Sequence, residues 1–330
     1  MTAAAPTVQI SERPLITFFL MSYNQERFIR EAVQGAFAQT YTPLEIILSD
    51  DCSSDRTYEI MSEMAGSYCG PHRIVLNRNE RNLGIGEHMN WIMETAAGEL
   101  IVASAGDDKS VSERTSRVYE EWMRIGGGLC SIYSDAILID SEGTQLRRLF
   151  EGRPSRHVSS VEEAVARGGV GVAGCTHAFS KKTFDLFGPM DGRVVAEDMV
   201  IPLRSLLAGK IQYIKDPLVL YRTHGGNVSL GGKERPTLAR RYRDKENHEA
   251  VLLTWVRDVR RALDAGLLSK EKAGNLTTEI YSQLYWGSIE KRLCEKRIIP
   301  GLLLLARNLL SFGRANHALK ITERRLRTAD

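Results

Sequence analysis

Between residues 15 and 104, apolar runs of strand length alternate with segments of helical period. Leu15 to Ser22 (LITFFLMS) leads into an amphipathic stretch from about Glu26 to Gln39. Leu44 to Ser49 is followed by a helix opened by Ser54 or Asp55. Arg73 to Leu76 is followed by a helix from about Gly84 to Ala97, and Leu100 to Ser104 closes the series. Strands alternating with helices in this way read as βαβ units. Short connections and right-handed crossovers then predict a mostly parallel sheet in a three-layer α/β/α stack. In such sheets ligands sit beyond the carboxyl ends of the strands, so the residues just after each apolar run carry the functional question.

Those residues are acidic. After the second run the chain reads Ser49-Asp50-Asp51-Cys52-Ser53-Ser54-Asp55. Ser54 and Asp55 are accounted for as helix caps. Asp50 and Asp51 are not, and a carboxylate there suits a ligand's imide N–H or ribose hydroxyl. After Leu100 to Ser104 come Ala105-Gly106-Asp107-Asp108-Lys109. Paired acids behind small residues suit magnesium or manganese, which take one or two carboxylates and complete their shell with water and substrate phosphates. Glu197 and Asp198 precede an amphipathic helix running to about Ala208, where the helix dipole favours acids whatever their function. His224, in Tyr221-Arg222-Thr223-His224-Gly225-Gly226, closes a further apolar strand and could complete a metal shell.

The order and spacing of these elements resemble the family 2 glycosyltransferases with the GT-A fold, from about Pro14 to Ser229. The resemblance lies in Ser22-Tyr23-Asn24, Ala38-Gln39-Thr40-Tyr41, Asp50 to Asp55 and Asn82-Leu83-Gly84. It continues through Gly98-Glu99, Asp107-Asp108, Glu197-Asp198 and the segment from Arg222 to Ser229. It implies that Asp51 reads the donor's base, with Asp50, Ser22, Tyr23, Asn24, Asn82 and Gly84 lining the nucleoside pocket. Asp108 and Asp107 would be the metal motif for Mn2+ or Mg2+, Asp107 also facing the donor's ribose or sugar, with His224 as an accessory contact. Asp198 matches the family's catalytic base, and Glu197 beside it could exchange roles with it after a one-residue helix shift. The implied reaction is inverting transfer of a sugar from a nucleoside diphosphate, UDP-linked or dTDP-linked, to a hydroxyl of a cell-surface glycan or lipid-linked acceptor. The chain departs from the commonest family pattern at Ala105, where many relatives carry another acid. It also lacks the Gln-x-x-Arg-Trp motif of processive members, so a single addition is expected.

Charge divides the chain. Residues 236 to 330 hold 19 Lys and Arg against 11 Asp and Glu, a net +8, and residues 1 to 235 net −5. The expected partition is a GT-A catalytic domain over 1–235 and a helical C-terminal extension over 236–330. The basic extension reads either as a solvated helical surface or as a peripheral contact for an anionic membrane or diphosphate-linked acceptor. Its apolar segment, Ile298 to Leu310, reads as buried against a helix or as contacting a membrane or partner. Five cysteines without a CxxC pair suggest neither a zinc site nor a disulfide framework. With no secretory signal and no run of about 20 apolar residues, the expectation is a cytoplasmic protein, at most associated with the inner face of the membrane.

Other classes fit less well. A nucleotidylyltransferase needs a Gly-rich, basic loop after the first strand, where Ser22-Tyr23-Asn24-Gln25-Glu26 stands. A NAD-dependent enzyme needs Gly-x-Gly-x-x-Gly there. A non-catalytic nucleotide-sugar binder and an enzyme for small-molecule acceptors stay open, and nucleic acid is not an expected partner.

Overall fold

The structure is a computed structural model and describes residues 13–151, 158, 160–225 and 238–295. Strand β1 (Ile16–Ser22) is followed by α1 (Ile29–Phe37), β2 (Leu44–Asp50), α2 (Thr57–Gly66), β3 (Arg73–Arg78), α3 (Gly84–Thr95) and β4 (Leu100–Ala105). β1 pairs in parallel with both β2 and β4, and β2 with β3. Every residue of β2 is buried, as expected of a central strand covered by helices on both faces. Helix α1 begins at Ile29 rather than near Glu26, because the Gln25 carbonyl already accepts from Phe28 and Ile29 in a turn. Of the two cap candidates for α2, Asp55 accepts from the Thr57 amide at 2.9 Å. Ser54 is instead tied to Asn24 Oδ1 across the site.

The second half of the sheet is mixed. The short β5 (Lys109–Ser110) precedes α4 (Arg114–Arg124), β6 (Cys130–Ile139), β7 (Gln145–Arg148), α5 (Val161–Arg167), a 3-10 turn (Gly174–Thr176), β8 (His177–Ser180) and α6 (Lys181–Phe187). Then come α7 (Glu197–Ala208) and β9 (Lys210–Arg222). The order is β3-β2-β1-β4-β8-β6-β9-β5, with β7 on β6. β8 is antiparallel to β4 and β6, whereas β9 returns parallel to β6. Pairing of Lys109 with Leu220 sets the end of β9 beside the turn that leaves β4, bringing Arg222 and His224 to Asp107 and Asp108.

Helices α8 (Leu238–Asp264) and α9 (Lys270–Glu295) form a hairpin. Trp255, Val259, Leu276 and Ile280 are buried in one apolar cluster with Phe19, Phe179 and Val200. Trp255 Nε1 donates to the Met199 carbonyl at 3.0 Å, and Gln283 Nε2 to the Val165 carbonyl at 2.8 Å. The helical reading of the C-terminal region thus holds over 238–295. The segment Ile298 to Leu310 lies outside the described residues, as does the boundary expected near 235.

Candidate active site

Ser22 ends β1 between two acidic turns. Its carbonyl accepts from the Asp51 amide at 2.9 Å, and a Cβ on Gly106 would lie 2.8 Å from its own Cβ. Gly106 is therefore what lets the turn after β4 close on β1. On the other side, Asn24 and Cys52 both adopt left-handed backbone (φ 52° and 62°), a costly conformation for residues with side chains. Asn24 Oδ1 accepts from the Ser54 amide, so the turns after β1 and β2 are clamped together. Tyr23 is 46% exposed at the rim of this cleft.

The adjacent acids Asp50 and Asp51 face different tasks. Asp50 is wholly buried, and its carboxylate accepts from the Ser53 amide and hydroxyl, which shapes the turn. Asp51 receives Asn79 Nδ2 and the Leu83 amide on Oδ1, both at 2.8 Å, and the Gly84 amide on Oδ2 at 2.9 Å. Its charge thereby sits at the N-terminus of α3, where the helix dipole favours it. Asn82 Oδ1 also accepts from Gly84, whose φ of +74° suits glycine.

Asp107 and Asp108 are both buried. His224 Nε2 lies 3.0 Å from Asp107 Oδ2 and its ring packs 4.8 Å from Phe28. Asp108 Oδ1 accepts from the Arg222 amide at 2.8 Å, and its carboxyl also meets the Cys175 thiol. Burial first, and then the charge of Asp107, push the Asp108 pKa well above the usual carboxylate range. Beneath it lies the fully buried Arg114, whose guanidinium donates to Ser110 Oγ and the Ala103 carbonyl. Among the described residues no group of three His, Cys, Asp or Glu side chains is placed to hold a metal ion. An ion of the magnesium or manganese type asks for only one or two carboxylates, with water and phosphate oxygens in its remaining positions, and Asp107 and Asp108 are the carboxylates present here.

Glu197 and Asp198 occupy the first turn of α7, both partly buried. The Gly174 amide donates to Asp198 Oδ2 at 3.2 Å, and the place where a Gly174 Cβ would stand is 2.3 Å from Glu197 Oε1. Burial, then the neighbouring Asp198, raise the Glu197 pKa to about 8, and burial raises Asp198 to about 6. The 3-10 turn thus joins the acids of α7, through Gly174, to Asp108, through Cys175. Sequence reading missed Gly174, Cys175 and Arg114, and it quoted Arg222 without a role. Arg222 is buried and rivets the site, donating through Nε to the Asp107 carbonyl and through Nη2 to Glu31. No acid pair or strand end marked Gly174 or Cys175 in the sequence.

Comparison with known proteins agrees with this fold. Residues 17–149 match the Glycosyl transferase family 2 profile. An uncharacterized protein of Mycobacterium tuberculosis is 25% identical over 209 residues, covering 63% of this chain and 58% of the relative. The succinoglycan biosynthesis protein ExoO of Rhizobium meliloti is 28% identical over 147 residues, 44% of this chain and 40% of that protein. The chain therefore spans about half the length of such curated relatives. S. aureus TarS 1–349 in complex with UDP-GlcNAc superposes with a TM-score of 0.59 at 16% identity, over 81% of this chain and 71% of that one. The mannosyltransferase PcManGT from Pyrobaculum calidifontis, in complex with GDP-Man and Mn2+, gives 0.51 at 16% identity over 91% and 80%. The shared architecture is the GT-A fold of nucleotide-sugar transferases. The match to glycosyltransferase family 2 thus covers the N-terminal part of the chain, residues 17–149.

Proposed function

We propose that this protein transfers a sugar from a nucleoside diphosphate to an acceptor hydroxyl, once per encounter and with inversion. The observation that carries the reading is the linkage of three acid pairs around one cleft: Asp50–Asp51 and Asp107–Asp108 flank Ser22, and the 3-10 turn ties Asp108 to Glu197–Asp198. In this reading Asp51 takes the imide N–H of a uracil or thymine base through the free lone pair of Oδ2. Tyr23, Asn24, Asn82 and Gly84 line the same pocket. Asp107 and Asp108, with His224 beside them, would hold a divalent cation, which when bound supplies charge neutralisation to the diphosphate.

Asp198 is the base. With its pKa near 6 it is ionised at neutral pH, whereas Glu197, near 8, keeps its proton. The acceptor's O–H proton passes to the Asp198 carboxylate as its oxygen bonds to the anomeric carbon from the face opposite the diphosphate. The C–O bond to the diphosphate breaks and the leaving group departs with the electron pair. One displacement inverts the centre and needs no protein nucleophile. The name of the succinoglycan relative supports a cell-surface glycan as acceptor. No helix among the described residues is long and apolar enough to cross a membrane. Work at the cytoplasmic membrane face, through the basic C-terminal segment, is part of the same proposal.

A thermal-shift screen of nucleoside diphosphates and their sugar conjugates, with and without Mn2+, tests the donor site, because a ligand of the native state raises its melting temperature. A shift with UDP or dTDP that requires Mn2+ is expected and is lost in Asp51→Ala. No shift with any nucleotide would overturn the reading, and donor binding without hydrolysis or transfer would make the protein a nucleotide-sugar binder.

A further inference from the structure

Below Asp51 lies a ring of side chains tied to its carboxylate. Asn77 Nδ2 donates to Ser49 Oγ and to Asn79 Oδ1, both at 2.9 Å, and Asn79 Nδ2 donates to Asp51 Oδ1. Ser49 Oγ also meets His88 Nε2 at 2.5 Å, and His88, on α3, is wholly buried. Asn77 Nδ2 can only donate to Ser49 Oγ, so the acceptor in reach of the Ser49 hydroxyl hydrogen is His88 Nε2, and a hydrogen bond in that direction puts the imidazole proton on Nδ1. Nδ1 has no hydrogen-bond partner and lies 3.9 Å from Asp51 Oδ1, about 1 Å beyond bonding distance. A buried donor left open costs free energy, and the charge it faces is the Asp51 carboxylate. Burial holds the His88 pKa down at about 4, so the ring is a neutral donor near pH 7.

We propose that His88 is a positioning residue for Asp51, its Nδ1–H closing onto Oδ1 when a base engages Oδ2 and so holding the carboxylate as an acceptor aimed at the base. This rests on the donor-site reading above and adds selectivity to it. An ionised Asp51 accepts from the N3–H of uracil but repels the N3 lone pair of cytosine. Without the His88 donor the carboxylate loses a contact that aims Oδ2 at the base, and the uracil N3–H loses its aligned acceptor. His88 thus sets the preference for bases that present an N–H.

The test is calorimetric titration of UDP and CDP, each with Mn2+, into the wild type and His88→Asn, His88→Gln, His88→Phe and Asp51→Asn. His88→Asn places an amide N–H near the Nδ1 position, whereas His88→Gln keeps only the Ser49 side. The expected result is a UDP-over-CDP preference lowered about tenfold in His88→Gln and His88→Phe, the lower end for one hydrogen bond to a carboxylate, and largely restored in His88→Asn. Equal losses in His88→Asn and His88→Gln, or an unchanged ratio in both, would overturn the proposal in favour of plain packing, even if His88→Phe fails to fold. Asp51→Asn separates the two readings: if it too leaves UDP affinity intact, the donor site itself is misplaced. If it weakens UDP while the His88 variants do not, only the role of His88 falls.

Discussion

Arg204 Nε lies 2.7 Å from Asp258 Oδ2, and both side chains are completely buried. The pair joins α7, which carries Glu197 and Asp198, to α8. Arg204 also donates to the Gly188 carbonyl at the end of α6. Three helices therefore meet at one guanidinium a short way behind the proposed base, and burial pushes the Asp258 pKa up despite that cation.

Removing one partner leaves the other charge stranded. Asp258→Ala is expected to cost about 3–5 kcal/mol of folding free energy, the range for breaking a buried pair, as measured by urea denaturation. Replacing both together, Arg204→Met with Asp258→Leu, should recover most of that loss. Equal destabilisation in the single and double variants would mean that shape, rather than charge, holds the junction.

Assignment of the base makes a kinetic prediction. Asp198→Asn should lower kcat by about 10²- to 10⁴-fold while leaving the Kd for the donor unchanged. In the wild type, kcat should rise with pH through about 6 as Asp198 ionises. A rising limb centred near 8 and lost in Glu197→Gln would transfer the role to Glu197.

The same acids set a pH dependence of stability. Their folded pKa values lie above the ordinary 4.5 and 3.8, so between about pH 4 and 8 the native state holds more protons than the unfolded chain. Stability contributed by the pair is present at the acidic end and is lost as pH rises through that window. Glu197→Gln removes its share, so it should unfold at a higher temperature than the wild type at pH 9 and at nearly the same temperature at pH 4. Differential scanning calorimetry at the two pH values decides this.

What the sequence made legible was what is local. Continuous apolar runs specify β1, β2 and β4, and the acids directly after them fall at strand ends because the strand ends where the run does. Illegible was whatever depends on contacts far along the chain. Asp50 and Asp51 look alike in sequence, yet one is closed by Ser53 three residues on and the other by amides 32 and 33 residues away. β8 inserts antiparallel between β4 and β6 on only four residues, too few to carry a period. Cys175 acquires its significance only because that insertion sets the preceding turn against Asp108.

Gly174 is the tightest expression of that arrangement. Its φ is not what demands glycine; the space beside it is, since an added methyl would fall 2.3 Å from Glu197 Oε1 and 3.8 Å from Asp198 Cβ. Gly174→Ala must therefore push the Glu197 carboxylate aside, in the same turn whose amide holds Asp198 Oδ2 at 3.2 Å. Nothing in that contact reaches Asp51 or its partners on α3. The expected outcome is a fall of about 10²-fold in kcat, as for a misplaced catalytic group, with an unchanged Kd for the nucleotide. If Gly174→Ala instead weakens nucleotide binding and leaves kcat intact, the turn serves the donor side of the cleft, and the acids of α7 would have to be separated from the transfer step.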